Sequence, residues 1–180
     1  MRLGLKRGTV VLLPHEKEWE ESAREVIGRL GEILGDSAAD IQHVGSTAIP
    51  SVCAKPIVDI ALGMRSLAEL ESYAAELEGA GFIDRGEDQP GQRLYVLGDP
   101  DMRTHHIHAV VYGSEPWRNY LNFRDYMNSH AEAAAAYGAL KKELAARYAN
   151  ERKAYTAGKE ELIQSILRAA EAWRANGEKD

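Results

Sequence analysis

Cys53 is the only cysteine in 180 residues. A single thiol excludes an internal disulfide and a thiolate zinc cage, and it fits a reducing compartment. Long apolar runs are also missing. The opening stretch MRLGLKRGTVVLLPHEKEW carries basic residues, but its apolar segment is short and is broken by Pro14. That makes a poor signal peptide and no transmembrane span, so a cytoplasmic protein with no membrane partner is expected. Positive charge is not in excess: 22 Lys and Arg face 28 Asp and Glu, a net charge of -6. The balance argues against a sequence-independent nucleic-acid binder, while leaving room for a small basic pocket. No internal repeat or low-complexity linker divides the chain, so one domain over residues 1–180 is the expectation.

What is present reads as a globular protein, with 44% hydrophobic and 28% charged residues. Gly8–Leu13 reads as a short strand or extended segment closed by Pro14. HEKEWEESAREVIGRLGEIL then places Trp19, Ala23, Val26, Ile27 and Leu30 at helical spacing, with Gly35 and Asp36 as its stop. Ala39–Val44 is a strand followed by the turn GSTAIPS. Lys55–Met64 is the clearest strand, rich in β-branched residues between Pro56 and Gly63. Ser66–Gly81 reads as a helix with Ser66 as N-cap and Glu69 completing a capping box. FIDRG and QRLYVLG form two strands joined by a polar loop, and Met102–Gly113 forms a third. From Glu115 the composition turns helical. Two or three helices are expected over residues 115–175, beside a sheet-containing core over residues 8–113, with a frayed tail at ANGEKD.

Three features can carry chemistry. Gly45-Ser46 follows a strand, and such a turn lets backbone approach a phosphate, although the pair alone is also an ordinary turn. Asp59 stands between Val58 and Ile60, where a carboxylate is costly unless paired or metal-bound. It shares a strand face with Ile57 and Ala61, and an edge strand would serve as its structural explanation. His106 and His108 share a face with Thr104, whereas His105, Ile107 and Ala109 share the other. Two imidazoles could grip a metal or a phosphate, and Asp59 would be the third ligand. Otherwise they are hydrogen-bonded histidines on a half-exposed face. Lys55, Arg93 and Arg124 are cations suited to phosphate, each equally at home in a surface ion pair. Cys53 has no partner arrangement for nucleophilic work, and Ser46 lacks a G-x-S-x-G context.

The strings HVGSTAIPSVCAKPIVDIAL, HHIHAVVYGS, NFRDYMNSH and YGALKKELA…Y…GKEELIQSIL, in that order, resemble the GrpB family over nearly the whole chain. The resemblance implies an α/β (α+β) fold similar to the nucleotidyltransferases, a mixed β-sheet flanked by helices with a helical C-terminal part. It implies a nucleotide or other phosphorylated small molecule as ligand, a divalent metal (Mg, Mn or Zn) and no organic cofactor. Related domains occur joined to dephospho-CoA kinase. Val44-Gly45-Ser46 and Asp59 match the nucleotidyltransferase signature, but Ala61 stands where that signature has a second acid. Gly45, Ser46, Thr47, Lys55, Arg93 and Arg124 would then bind phosphate. Asp59 would be catalytic and would hold the metal with His106 and His108, a more transition-metal-like set than a pair of magnesium carboxylates. Three readings stay open: a divergent nucleotidyltransferase, a module that binds nucleotide without catalysis, and an accessory domain, for example in CoA metabolism.

Overall fold

A computed structural model describes residues 3–6, 8–99 and 101–177. Its elements run β1 (Leu5–Lys6), α1 (Lys17–Leu34), β2 (Ala38–Val44), β3 (Val58–Met64), α2 (Ala74–Gly79), β4 (Ile83–Gln89), β5 (Gln92–Gly98), β6 (Met102–Val111), α3 (Glu115–Ser129), α4 (Ala131–Arg147), α5 (Arg152–Gly158) and α6 (Glu160–Gly177). The strands form one mixed six-stranded sheet in the order β2-β3-β6-β5-β4, and β1 pairs with the first residues of β6. β3 and β6 are parallel, and the other pairs are antiparallel. This is the mixed α/β sheet flanked by helices that the motifs imply.

The two faces of β3 and β6 go to different uses. Val58, Ile60, Leu62 and Met64 face α1, together with Ile107 and Ala109 of β6 and with Tyr95 and Leu97 of β5. From α1 come Trp19, Ala23, Val26, Leu30 and Leu34, all buried, at three- and four-residue steps that keep one stripe on the sheet. Each large apolar side chain removed from water there contributes about 1.5–3 kcal/mol. The opposite face carries Asp59, Ala61, His106 and His108, and is covered by α3 and the helices after it. No helix among the described residues is long and apolar enough to cross a membrane.

One local expectation is narrowed and three are corrected. Gly8–Leu13 is the extended segment, not a sheet strand. Gly8 turns the chain with φ 90°, and the segment bonds elsewhere, with the Val10 N–H donating to the Ala149 carbonyl at 2.9 Å and Leu13 bridging Ala54. Ser66–Gly81 is not a continuous α-helix. Leu67–Tyr73 is 3₁₀, which puts Leu67, Leu70 and Tyr73 on one eclipsed stripe against the core, and Ser66 makes no side-chain cap. β4 runs through the expected loop to Gln89, leaving only Pro90 and Gly91 as the hairpin tip. Helix α6 continues to Gly177, and the last three residues of the expected frayed tail lie outside the described residues.

His43 lies on the α1 side of β2, bonded to the buried Thr47 hydroxyl at 2.9 Å. Burial lowers its pKa to about 4, against weaker upward pulls from Asp59 and Glu20. The unfolded chain takes a proton there near 6.5, the folded protein only near 4. This histidine's contribution is therefore present above about pH 6.5 and is lost as pH falls toward 4, by up to about 3 kcal/mol. Thermal melts between pH 4 and 7.5 should show a shallower acid slope for His43→Gln than for wild type. Equal slopes would show that His43 does not couple folding to pH.

Candidate functional site

Register builds the site. Asp59 is directly across from His106 on the parallel strand β6 and from Val44 on the antiparallel strand β2, while Ala61 is across from His108. Directly paired residues share a face, so the carboxylate and both imidazoles converge. His108 Nε2–H donates to Asp59 Oδ1 at 2.9 Å, and His106 Nδ1 is 3.5 Å from the same oxygen. One ligand atom from each residue lies within 4.8 Å of the others. Burial would push the Asp59 carboxyl up. Hydrogen bonds and charge from His106 and His108 outweigh it and hold the group well below the usual carboxylate range. His108 is fixed from the helix side, where its ring stacks on Tyr120 at 5.0 Å between centroids. The Tyr120 hydroxyl donates to Gln92 Oε1 at 2.6 Å, and Gln92 Nε2 donates to Asp88.

The Gly45-Ser46 turn closes over the carboxylate. Gly45 has φ 70°, and a Cβ built on it would come 2.7 Å from Asp59 Oδ2. Glycine is required there both by the left-handed backbone and by the closeness of the acid. Ser46–Ala48 then forms a 3₁₀ turn. Ser46 and Thr47 both line the cleft, although the Thr47 hydroxyl is taken up by His43.

A cleft of about 590 Å³ starts at this turn, passes Asp59 and His106, and reaches α5 and α6. Lys55 lines it, but Arg93 and Arg124 do not. Arg93 is on the other face of the sheet: its partner in β6 is Ala109, and its guanidinium clasps Asp84 of β4. Arg124 ties α3 to β2, donating to Gln42 Oε1 and the His43 carbonyl and pairing with Asp125. The cations that do line the cleft with Lys55 are Lys141, Arg152 and Lys159, around Tyr155. Sequence reasoning assigned these no role. The signal was Lys141, one turn from Tyr137 and three residues before Leu144 on a buried stripe, where a solvated lysine does not belong. Burial, and then the neighbouring cations, lower Lys141 to about 7 and Lys55 to about 8, and Lys159 is lowered as well.

Residues 9–169 match the family described as GrpB protein. The chain is 34% identical over 170 residues to the glutamate-rich protein GrpB of Alkalihalophilus pseudofirmus, covering 92% of this chain and 98% of that protein. Two other relatives are longer, and the chain spans about half their length. UPF0157 protein YqkA of Bacillus subtilis is 34% identical over 94% of this chain and 49% of its own. A dephospho-CoA kinase of Mycolicibacterium paratuberculosis is 28% identical over 94% and 48%. Among solved structures, the conserved protein GrpB from Enterococcus faecalis superposes with a TM-score of 0.84 at 28% identity, covering 91% of this chain and 99% of that one. The Cid1 poly(U) polymerase superposes with a TM-score of 0.52 at 19% identity over 76% and 44% of the two chains, a likeness of fold.

Gly45→Ala should cost about 1–3 kcal/mol of stability through the positive φ. Its methyl group should also displace Asp59 from His108 Nε2. Melting curves read the first effect and the NMR shifts of the His108 ring the second. Unchanged His108 shifts would show that the turn does not hold the carboxylate in place.

Proposed function

The chain belongs to the GrpB family and has a nucleotidyltransferase-like fold, and on that footing we propose that it binds a nucleotide with a divalent metal and transfers the nucleoside monophosphate to an acceptor hydroxyl. The observation that carries this reading is the convergence of Asp59, His106 and His108 beneath the Gly45-Ser46 turn. One carboxylate and two imidazoles form a donor set that fits a single zinc or manganese ion better than magnesium, and leaves positions open for a ligand. When bound, such an ion neutralises charge building up on a phosphoryl group. The residues do the rest. Asp59, His106 and His108 hold the ion, and Tyr120 and Gln92 orient His108. The Gly45-Ser46 turn and Lys55 take phosphate oxygens. The acceptor oxygen bonds to phosphorus as the bond to pyrophosphate breaks, and the hydroxyl proton leaves to solvent. We place this work in the cytoplasm, where Cys53 stays reduced.

A second reading is favoured by Ala61. Its side chain is fully buried among Val44, Val110 and Trp117, so position 61 offers no second acid beside Asp59. In that reading the same site binds the phosphorylated ligand and metal without turnover.

Zinc, manganese and magnesium titrations followed by pyrophosphate-release assays with all four ribonucleoside triphosphates separate the readings. Asp59→Asn should weaken zinc binding at least about 100-fold (about 2.7 kcal/mol) and abolish pyrophosphate release. Nucleotide binding without release across metals and acceptors would leave the binding module. No binding of metal or nucleotide would overturn both. Ala61→Asp should destabilise the fold by about 3–5 kcal/mol through a buried unpaired charge, seen as a lowered melting temperature. An active, stable Ala61→Asp protein would contradict the packing described here.

A further inference from the structure

Two ammonium groups meet at the buried Tyr155, and a third lies beside the neighbouring Tyr137 ring in the same cleft. Lys55, in the loop before β3, sits 5.4 Å from the ring centroid of Tyr155, and Lys159 sits 4.7 Å from it. Lys141 of α4 is 2% exposed, donates to the Cys53 carbonyl at 2.6 Å and lies 5.1 Å from the Tyr137 ring. Among the described residues none of the three makes an ion pair with a carboxylate. Tyr155 is fully buried, and its hydroxyl has no hydrogen-bond partner among the described residues. Cation–π contacts return less free energy than taking an ammonium group out of water costs. The like charges also repel one another. An arrangement this unfavourable when empty calls for an anion in its centre.

The charge count selects the anion. A monophosphate brings about two negative charges, too few for three lysines and Arg152, which lines the same cleft. Linked phosphates match better. The path also continues. Arg152 and Glu160 border both this cleft and a second, more open hollow, lined further by Arg103, Lys153 and Thr156. That hollow has no aromatic ring in its lining on which a base could stack.

We infer that Lys55, Lys141, Lys159 and the Tyr155 hydroxyl form a binding site for linear polyphosphate, independent of the metal, whose chain leaves past Arg152 into the second hollow. The inference rests on the proposed function only in sharing its cleft. It extends that reading by adding a chain of phosphates to the phosphorylated ligands the protein takes. Proton uptake accompanies binding, because burial and mutual repulsion lower all three lysines, Lys141 to about 7 and Lys55 to about 8. The charged groups around them are Asp59, Arg152, Glu160 and the Cys53 thiol, with Tyr137 and Tyr155 as the neighbouring phenols.

The test is calorimetry at physiological salt in excess chelator, with orthophosphate, tripolyphosphate, a long linear polyphosphate and an oligouridylate as probes. Tripolyphosphate should bind with net proton uptake at pH 8, read from buffers of different ionisation enthalpy, and orthophosphate should bind far more weakly. Lys141→Met and Lys159→Met should each weaken tripolyphosphate at least about tenfold (about 1.4 kcal/mol). Lys159→Met should raise the melting temperature of the ligand-free protein, since it removes an uncompensated charge, whereas a structural lysine would lower it. Lys153→Ala should weaken the long chain and leave tripolyphosphate unchanged. Asp59→Asn should leave all of this intact, so loss of metal binding and loss of the cage are separable. Tripolyphosphate binding that needs metal, or that ignores Lys141 and Lys159, would overturn the proposal. Tighter binding of the oligouridylate than of the long polyphosphate would also overturn it, in favour of nucleic acid.

Discussion

The parallel pairing of β3 with β6 is the constraint on which the rest of the molecule depends. It sets Asp59 beside His106 and Ala61 beside His108 on one face, and Ile60 beside Ile107 and Leu62 beside Ala109 on the other. The apolar pairs take the underside of α1, and the polar set faces the cleft. Because side chains alternate with period two, a slip of one residue would push Asp59 into the α1 core and turn isoleucines into the cleft. Core burial therefore enforces the geometry of the site. The large apolar free energy on one face holds a costly carboxylate in place on the other.

The cleft treats its charges unequally. Asp59 is satisfied within the fold, its carboxylate shared by two imidazoles that also lower its proton affinity. The lysines at the other end of the same cleft contact a carbonyl and aromatic faces, with Asp59 and Glu160 acting on them from beyond ion-pair distance. Surface lysines are ordinarily solvated or paired, whereas Lys141 is buried and Lys55 and Lys159 are half-buried, none of them in an ion pair among the described residues. The carboxylate end is organised before any ligand arrives. The cationic end is an electrostatic deficit that the fold leaves largely open.

Legibility from the sequence followed the length scale of each interaction. The meeting of Asp59 with His106 and His108 could be anticipated, because alternation along each strand is local and the two segments read clearly as strands. Gly45 was recognisable for the same reason, although the closeness of the Asp59 carboxylate, which makes a side chain there untenable, was not. Arg93 and Arg124 could not be placed, since their faces depend on register and on which neighbour offers an acid. Arg93 alternates onto the far face and finds Asp84 across the β4–β5 hairpin. Lys141, Arg152 and Lys159 come from α4, α5 and the residue joining α5 to α6, and no local pattern states that three such segments meet over Lys55. The start of the chain misled for a related reason. Gly8–Leu13 has strand composition, but the open position beside β6 is filled by Leu5–Lys6, and the later segment bonds to the end of α4 instead.

Ala61 shows why the second acid cannot simply be restored. Along the cleft face of β3 the side chains are Asp59, Ala61 and Gly63, shrinking toward the C-terminal end. A Cβ on Gly63 would come 2.9 Å from the Trp117 ring, and Ala61 packs in the same cluster as Trp117 and Tyr120. Helix α3 can lie this close to the sheet only because those two positions are small. Its closeness in turn carries Tyr120 onto His108 and the phenol onto Gln92. A carboxylate at position 61 would push Trp117 outward and take Tyr120 with it, loosening the imidazole that Asp59 depends on. The loss of the second acid and the use of histidine are then one structural decision. Small residues on β3 seat α3, the seated helix fixes His108, and the imidazoles take up the Asp59 carboxylate.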